Sequence, residues 1–212
     1  MESYSKILHE GYEKFLLPLG GKKVPTPYRI NIPYQGDRRK YGKSDPKTLI
    51  SDIKQIAKEQ NFNLERASIG EIRKFMEDNQ LGLDCSGFVY HILDFLLNQI
   101  GKGGMQQIGF PKPSSTNANL LTSEKFTIPV RKFEDLQAGD IIKLDSQDTI
   151  PHTLIILNVQ DRVASYAHSS KLTEVKGVHQ DKIINGTLPD ELSVYSYNVK
   201  AGDGIRRLKV LV

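Results

Sequence analysis

The chain has 212 residues, 38% apolar and 25% charged, with one cysteine and a formal net charge of +4. That length supports one large domain with a real core, and a single cysteine excludes an internal disulfide framework, so packing must hold the fold. Lys and Arg outnumber Asp and Glu by 15 to 11 in residues 1–80 and equal them at 14 each in residues 81–212, which argues against nucleic acid as the partner of the C-terminal part.

The N-terminal stretch MESYSKILHEGYEKFLLPL mixes Glu2, Lys6, His9, Glu10, Glu13 and Lys14 with its apolar residues, so it does not read as a secretory signal. The longest apolar run is broken by His91 and Asp94, and no membrane span is expected. The compartment stays open.

Residues 1–80 read as helices and loops packed on a domain of residues 81–212. Ile7, Leu8, Tyr12, Phe15 and Leu16 recur at helical spacing. Asp45-Pro46 opens a second helix, with aspartate as N-cap and proline at the first helical position. SIGE at 68–71 is a capping-box pattern ahead of Ile72, Phe75 and Met76. A fourth, more apolar and therefore central helix is expected from about Cys85 to Ile100. Between the first and second, GDRRKYGKS at 36–44 misses the phosphate-loop pattern by one residue, and Arg38, Arg39, Lys40 and Lys43 read as a solvated loop. GKGG at 101–104 reads as a helix end followed by a Gly- and Pro-rich loop. From residue 139 the period becomes that of strands, in DIIKL, HTLIILNV, RVASYAH, LTEVKGV, SVYSYNV and IRRLKVLV. Helices first and strands later predict an α+β fold with a five- to six-stranded antiparallel sheet.

The single cysteine stands in GLDCSGFVY, at the start of the central helix. There the positive end of the macrodipole favours a thiolate, and an unpaired backbone N–H is available to an oxyanion. Asp84 suits the N-cap, and Gly87 leaves space beside it. Unpaired cysteines are also among the most buried residues, so on position alone Cys85 is either a core thiol or a nucleophile. A nucleophile needs a base and a group that orients it. His91 lies about 240° around the helix axis from Cys85 and is excluded. His9, in the first helix, and His179, in a polar loop, read as structural.

His152 and His168 are different. If the hairpin between their strands turns on Gln160, the two face each other with β-carbons about 4.5–5.5 Å apart. A two-residue turn would shift the register by one and spoil that match. A metal site is the weaker reading, because no cysteine or carboxylate nearby has zinc-ligand spacing.

DCSGFVY resembles the nucleophile motif of the NlpC-type papain-like cysteine peptidases, which hydrolyse bacterial cell-wall peptides. FEDLQAGDIIKL, HTLIIL and SYAHSS resemble, in the same order, the family's lead-in to its first core strand, its base-bearing strand and the strand of its third catalytic residue. The resemblance implies a papain-like fold, Cys85 as nucleophile, His152 as base and then acid, and His168 as its orienting partner, with no cofactor. It implies a peptidoglycan stem peptide or muropeptide as substrate, cut after D-glutamate at its γ-linked bond to a diamino acid. It also implies Asp84 and Ser86 as the place for a free substrate amine, with Tyr28 of TPYRIN as a third contact. Tyr28 lies much further ahead of the cysteine than the family pattern has it, because residues 46–79 look inserted. The alternatives are an amidase or acyltransferase of the same fold, or a silent binding module.

Overall fold

Capping and periodicity place the long helices in a computed structural model, which describes residues 4–30, 42–145 and 150–212. They are α1 (Tyr4–Glu13), α2 (Pro46–Glu59), α3 (Ile69–Asp78) and α4 (Cys85–Gln99). Asp45 accepts from the Thr48 amide at 3.0 Å, which starts α2. Ser68 and Glu71 bond reciprocally at the start of α3, at 3.2 and 2.7 Å. α4 ends where Gly101 turns to φ +76 and the Lys102 amide reaches back to Leu97 O at 2.7 Å, as GKGG led us to expect. Two short helices follow, α5 (Gly104–Gln107) and α6 (Ala118–Leu121). The basic loop at 36–44 lies largely outside the described residues.

The expectation of helices and loops alone in the first 80 residues is corrected. Leu16–Leu19 (β1) and Lys22–Pro25 (β2) pair as an antiparallel hairpin. Its turn is Gly20-Gly21, both at positive φ, a signal that outweighs the apolar spacing running on from α1.

The main sheet holds β3 (Thr127–Pro129), β4 (Ile141–Leu144), β5 (His152–Gln160), β6 (Val163–Ser170), β7 (Gly177–Ile184) and β8 (Ile205–Leu208). Their order is β3-β8-β4-β5-β6-β7, and every neighbouring pair is antiparallel. The fold is α+β, as expected. Two predicted strands are not there. Only the last two residues of LTEVKGV enter β7, and SVYSYNV is turn and coil up to Val199, which opens a 3₁₀ turn. Tyr195 and Val199 are buried all the same, packing on the sheet from a non-strand backbone, while Val194 is exposed.

Both sheet faces are apolar. Ile141, Ile155, Leu157 and Ala167 on one face meet Phe88, Val89, Ile92 and Leu96 of α4 and Ile7 and Leu8 of α1. Each such side chain contributes roughly 1.5–3 kcal/mol on burial, which is why the most apolar helix is the central one. On the other face Leu154, Ile156 and Tyr166 meet Phe133, Leu192 and Tyr195. A third cluster joins Leu17, Leu19 and Val24 of the hairpin to Ile53, Ile72 and Met76 of α2 and α3. Among the described residues no helix is long and apolar enough to cross a membrane.

The chain crosses itself just before α4. Leu83 bridges Tyr28 in parallel on one side and Lys43 antiparallel on the other. Arg29 N–H donates to Leu83 O at 3.1 Å, Leu83 N–H to Pro27 O at 3.0 Å, and Asp84 N–H to Gly42 O at 2.8 Å. The Ser169 hydroxyl, from β6, donates to Leu83 O at 2.6 Å. These bonds fix the start of α4 against the sheet.

Candidate active site

Cys85 opens α4 and lines a pocket of about 310 Å³ together with Tyr28, Lys43, Asp84, Ser86 and His152. All six site residues expected from sequence except His168 line this pocket, and His168 stands directly behind His152. Tyr28 therefore reaches the pocket despite its distance in sequence. The bridge to Leu83 carries it there, and burial pushes its hydroxyl pKa up.

The thiol differs from expectation. Burial and the Asp84 carboxylate push its pKa up, against the smaller opposing pulls of Thr153 and Lys43. The Thr153 backbone N–H and hydroxyl lie near enough to favour the anion, although the hydroxyl makes no bond of ordinary geometry. The resting group is a thiol, and the helix terminus alone does not make it a thiolate.

Asp84 caps α4 through Oδ1, which accepts from Gly87 N–H at 2.7 Å. The same oxygen accepts from Lys43 Nζ at 2.8 Å, and Lys43 also donates to Ser86 Oγ. The ion pair is buried, with Lys43 and Asp84 side chains 3% and 8% exposed. Lys43 is thus no solvated loop residue. It occupies the place beside Asp84 and Ser86 that the resemblance assigns to a substrate amine. Nor does Gly87 leave space for substrate, since a β-carbon there would lie 2.6 Å from Gly42 O and 3.0 Å from the Lys43 side chain. His91 secures this lysine by donating Nε2–H to Lys43 O at 2.8 Å. His9 bonds Ser5 O within its own helix at 2.8 Å.

The two strand histidines meet, but not in the expected register. The β5–β6 turn is the two-residue Asp161-Arg162, both at positive φ, with Gln160 opposite Val163. Continued unbroken, that register would place the histidines on opposite faces. A β-bulge between Ile156 and Asn158 inserts one residue, after which Ile155 faces Ala167. The two histidines then share a face as diagonal neighbours. His152 Nε2 and His168 Nδ1 are 2.7 Å apart. The Tyr195 ring stacks on His152 with centroids 5.8 Å apart. Burial lowers the His152 pKa to about 3 and that of His168 well below its usual value, so both imidazoles are neutral.

His179 is no loop residue. It lies on β7 directly opposite His168, and their Nε2 atoms are 2.9 Å apart. Its Nδ1 is 3.0 Å from Gly177 O. His168, His179 and Glu191 are the one group of candidate ligand atoms within 4.8 Å of one another among the described residues. Two nitrogens on a tetrahedral zinc ion stand about 3.3 Å apart, whereas the 2.9 Å contact has the length of a hydrogen bond. Sequence reasoning missed Lys43, His179 and Tyr195. Alternation in GVHQDKII carries the signal for His179; no local pattern marks Lys43.

No protein-family model matches this chain, and no curated protein is significantly similar to it.

Proposed function

We propose that the protein is a cysteine peptidase of the NlpC-type, papain-like kind, acting on peptidoglycan stem peptides at the γ-D-glutamyl bond to the diamino acid. The observation that carries this reading is one pocket holding a helix-terminal cysteine and a histidine whose far nitrogen is held by a second histidine. Cys85 Sγ attacks the amide carbonyl while its proton passes to His152 Nδ1. The oxyanion meets the Cys85 N–H, which the first helical turn leaves unpaired. His152 then protonates the leaving amine as the C–N bond breaks, giving a thioester. Water, deprotonated by His152, attacks the thioester, which releases the acid and restores the thiol. Because both groups rest neutral, proton transfer accompanies attack and does not precede it.

Lys43 bears on which stem peptides are cut. Its charge balances Asp84, and the remaining charged lining residue, Lys171, is also cationic. Among the described residues the pocket therefore offers a substrate ammonium no unbalanced carboxylate. Peptides acylated at the amino end, as in stems still attached to sugar, suit this lining better than free peptides, the reverse of the preference implied by the resemblance. Mass spectrometry of purified muropeptides and free tri- and tetrapeptides after incubation tests both points. Absence of any cleaved stem would discard the peptidase reading in favour of an amidase or acyltransferase acting on another amide.

A further inference from the structure

With all three imidazoles neutral, the single carbonyl behind Cys85 permits one arrangement of protons. Gly177 O can only accept, so the hydrogen of neutral His179 is on Nδ1 and its Nε2 presents a lone pair. His168 Nε2, 2.9 Å away, must then be the donor, because two lone pairs would otherwise face each other. That leaves His168 Nδ1 as an acceptor, and His152 Nε2, at 2.7 Å, must carry a hydrogen. The last consequence is that His152 Nδ1 is bare. It is the nitrogen that a general base needs.

We propose that His179, held by Gly177 O, is a positioning residue that sets the tautomer of the base through His168. The inference rests on reading Cys85 and His152 as nucleophile and base, but its first consequence is independent of any substrate. The local backbone is suited to the task. Gly177 sits at φ +134, which excludes a side chain, and a β-carbon there would lie 2.3 Å from Thr26 O. The Val178 amide donates to Thr26 O at 2.8 Å, and Gly177 bridges Pro27. The carbonyl that anchors the series is therefore fixed by the segment that delivers Tyr28. Glu191 lies 3.6 Å from His179 Nε2, outside hydrogen-bonding distance, which leaves that lone pair to His168.

The test is long-range proton–nitrogen correlation NMR on protein labelled with ¹⁵N-histidine at pH 7.5. We expect Nε2–H tautomers for His152 and His168 and the Nδ1–H tautomer for His179. In His179→Phe the acceptor is gone, so His152 and His168 should shift toward mixed tautomers. With a cleavable peptide, kcat should fall by between about 10-fold and 10⁴-fold with KM unchanged, the upper limit being the cost of a base held in the wrong tautomer. His179→Gln, whose amide oxygen can accept from His168, should restore the wild-type tautomers and most of the lost rate. An Nδ1–H tautomer at His152 in the wild type, or unchanged tautomers in His179→Phe, would overturn the proposal. If the tautomers follow expectation but no stem peptide is cut, the proposal stands and the substrate reading fails.

Discussion

His152 and His168 are bonded across β5 and β6 at 2.7 Å although neither lies directly opposite the other. The two-residue turn alone would separate them, and the extra residue at the bulge brings them back to one face. Catalytic use of this pair makes a graded prediction. His152→Ala should lower turnover by about 10²–10⁴-fold, the usual worth of a general base. His168→Ala should cost less, since His152 keeps its place under Tyr195. Steady-state rates on a cleavable muropeptide decide this, and equal losses would remove the distinction between base and orienting group.

Thiol reactivity should follow the raised pKa of Cys85. The thiolate is the reactive form, so a pKa above that of a free thiol means less thiolate at neutral pH and slower alkylation. Iodoacetamide should label Cys85 more slowly than free cysteine at pH 7, with a rate still rising above pH 9. Faster labelling than the free thiol at pH 6 would restore the thiolate expected from the helix terminus.

Lys43→Met leaves Asp84 buried without its counter-charge, which should cost about 3–5 kcal/mol in urea unfolding. A Lys43→Met/Asp84→Asn double variant should recover part of that loss. Where Lys43→Met remains folded, it should cut free-amine peptides relatively faster than the wild type does. An unchanged ratio of free to acylated substrates would separate Lys43 from specificity.

Acid should unfold the protein through its buried imidazoles. The pKa values of His152 and His168 are depressed in the folded state, so their contribution is full above the unfolded value near 6.5. It is lost as pH falls toward the folded values, near 3 for His152. The midpoint of thermal unfolding should therefore drop from pH 7 to pH 4, and His168→Phe should flatten that slope. A pH-independent midpoint over this window would contradict neutral burial.

The caps of α2 and α3, the end of α4 and the parity of the sheet could be read from sequence because each depends on residues within a few positions of one another. The alternation of HTLIILNV points to the pair His152–His168 but not to its register, since a bulge leaves no mark there. Lys43 was not legible. Its burial depends on a bridge to Leu83 and a carbonyl contact with His91, both of which are long-range. His179 was hidden by a strand boundary placed too early, although its spacing from Gly177 carries the alternation that β7 uses.

The chain leaves the site at Lys43 and returns at Leu83, and those two residues are bridge partners. The excursion between them is therefore a loop already closed at its neck, so doubling its length would add only about 0.6 kcal/mol of closure entropy. Removing it is another matter. α2 and α3 roof Leu17, Leu19 and Val24 of the hairpin, and a short turn in their place would expose that apolar floor to water. The segment is free to vary in length and surface but not to disappear.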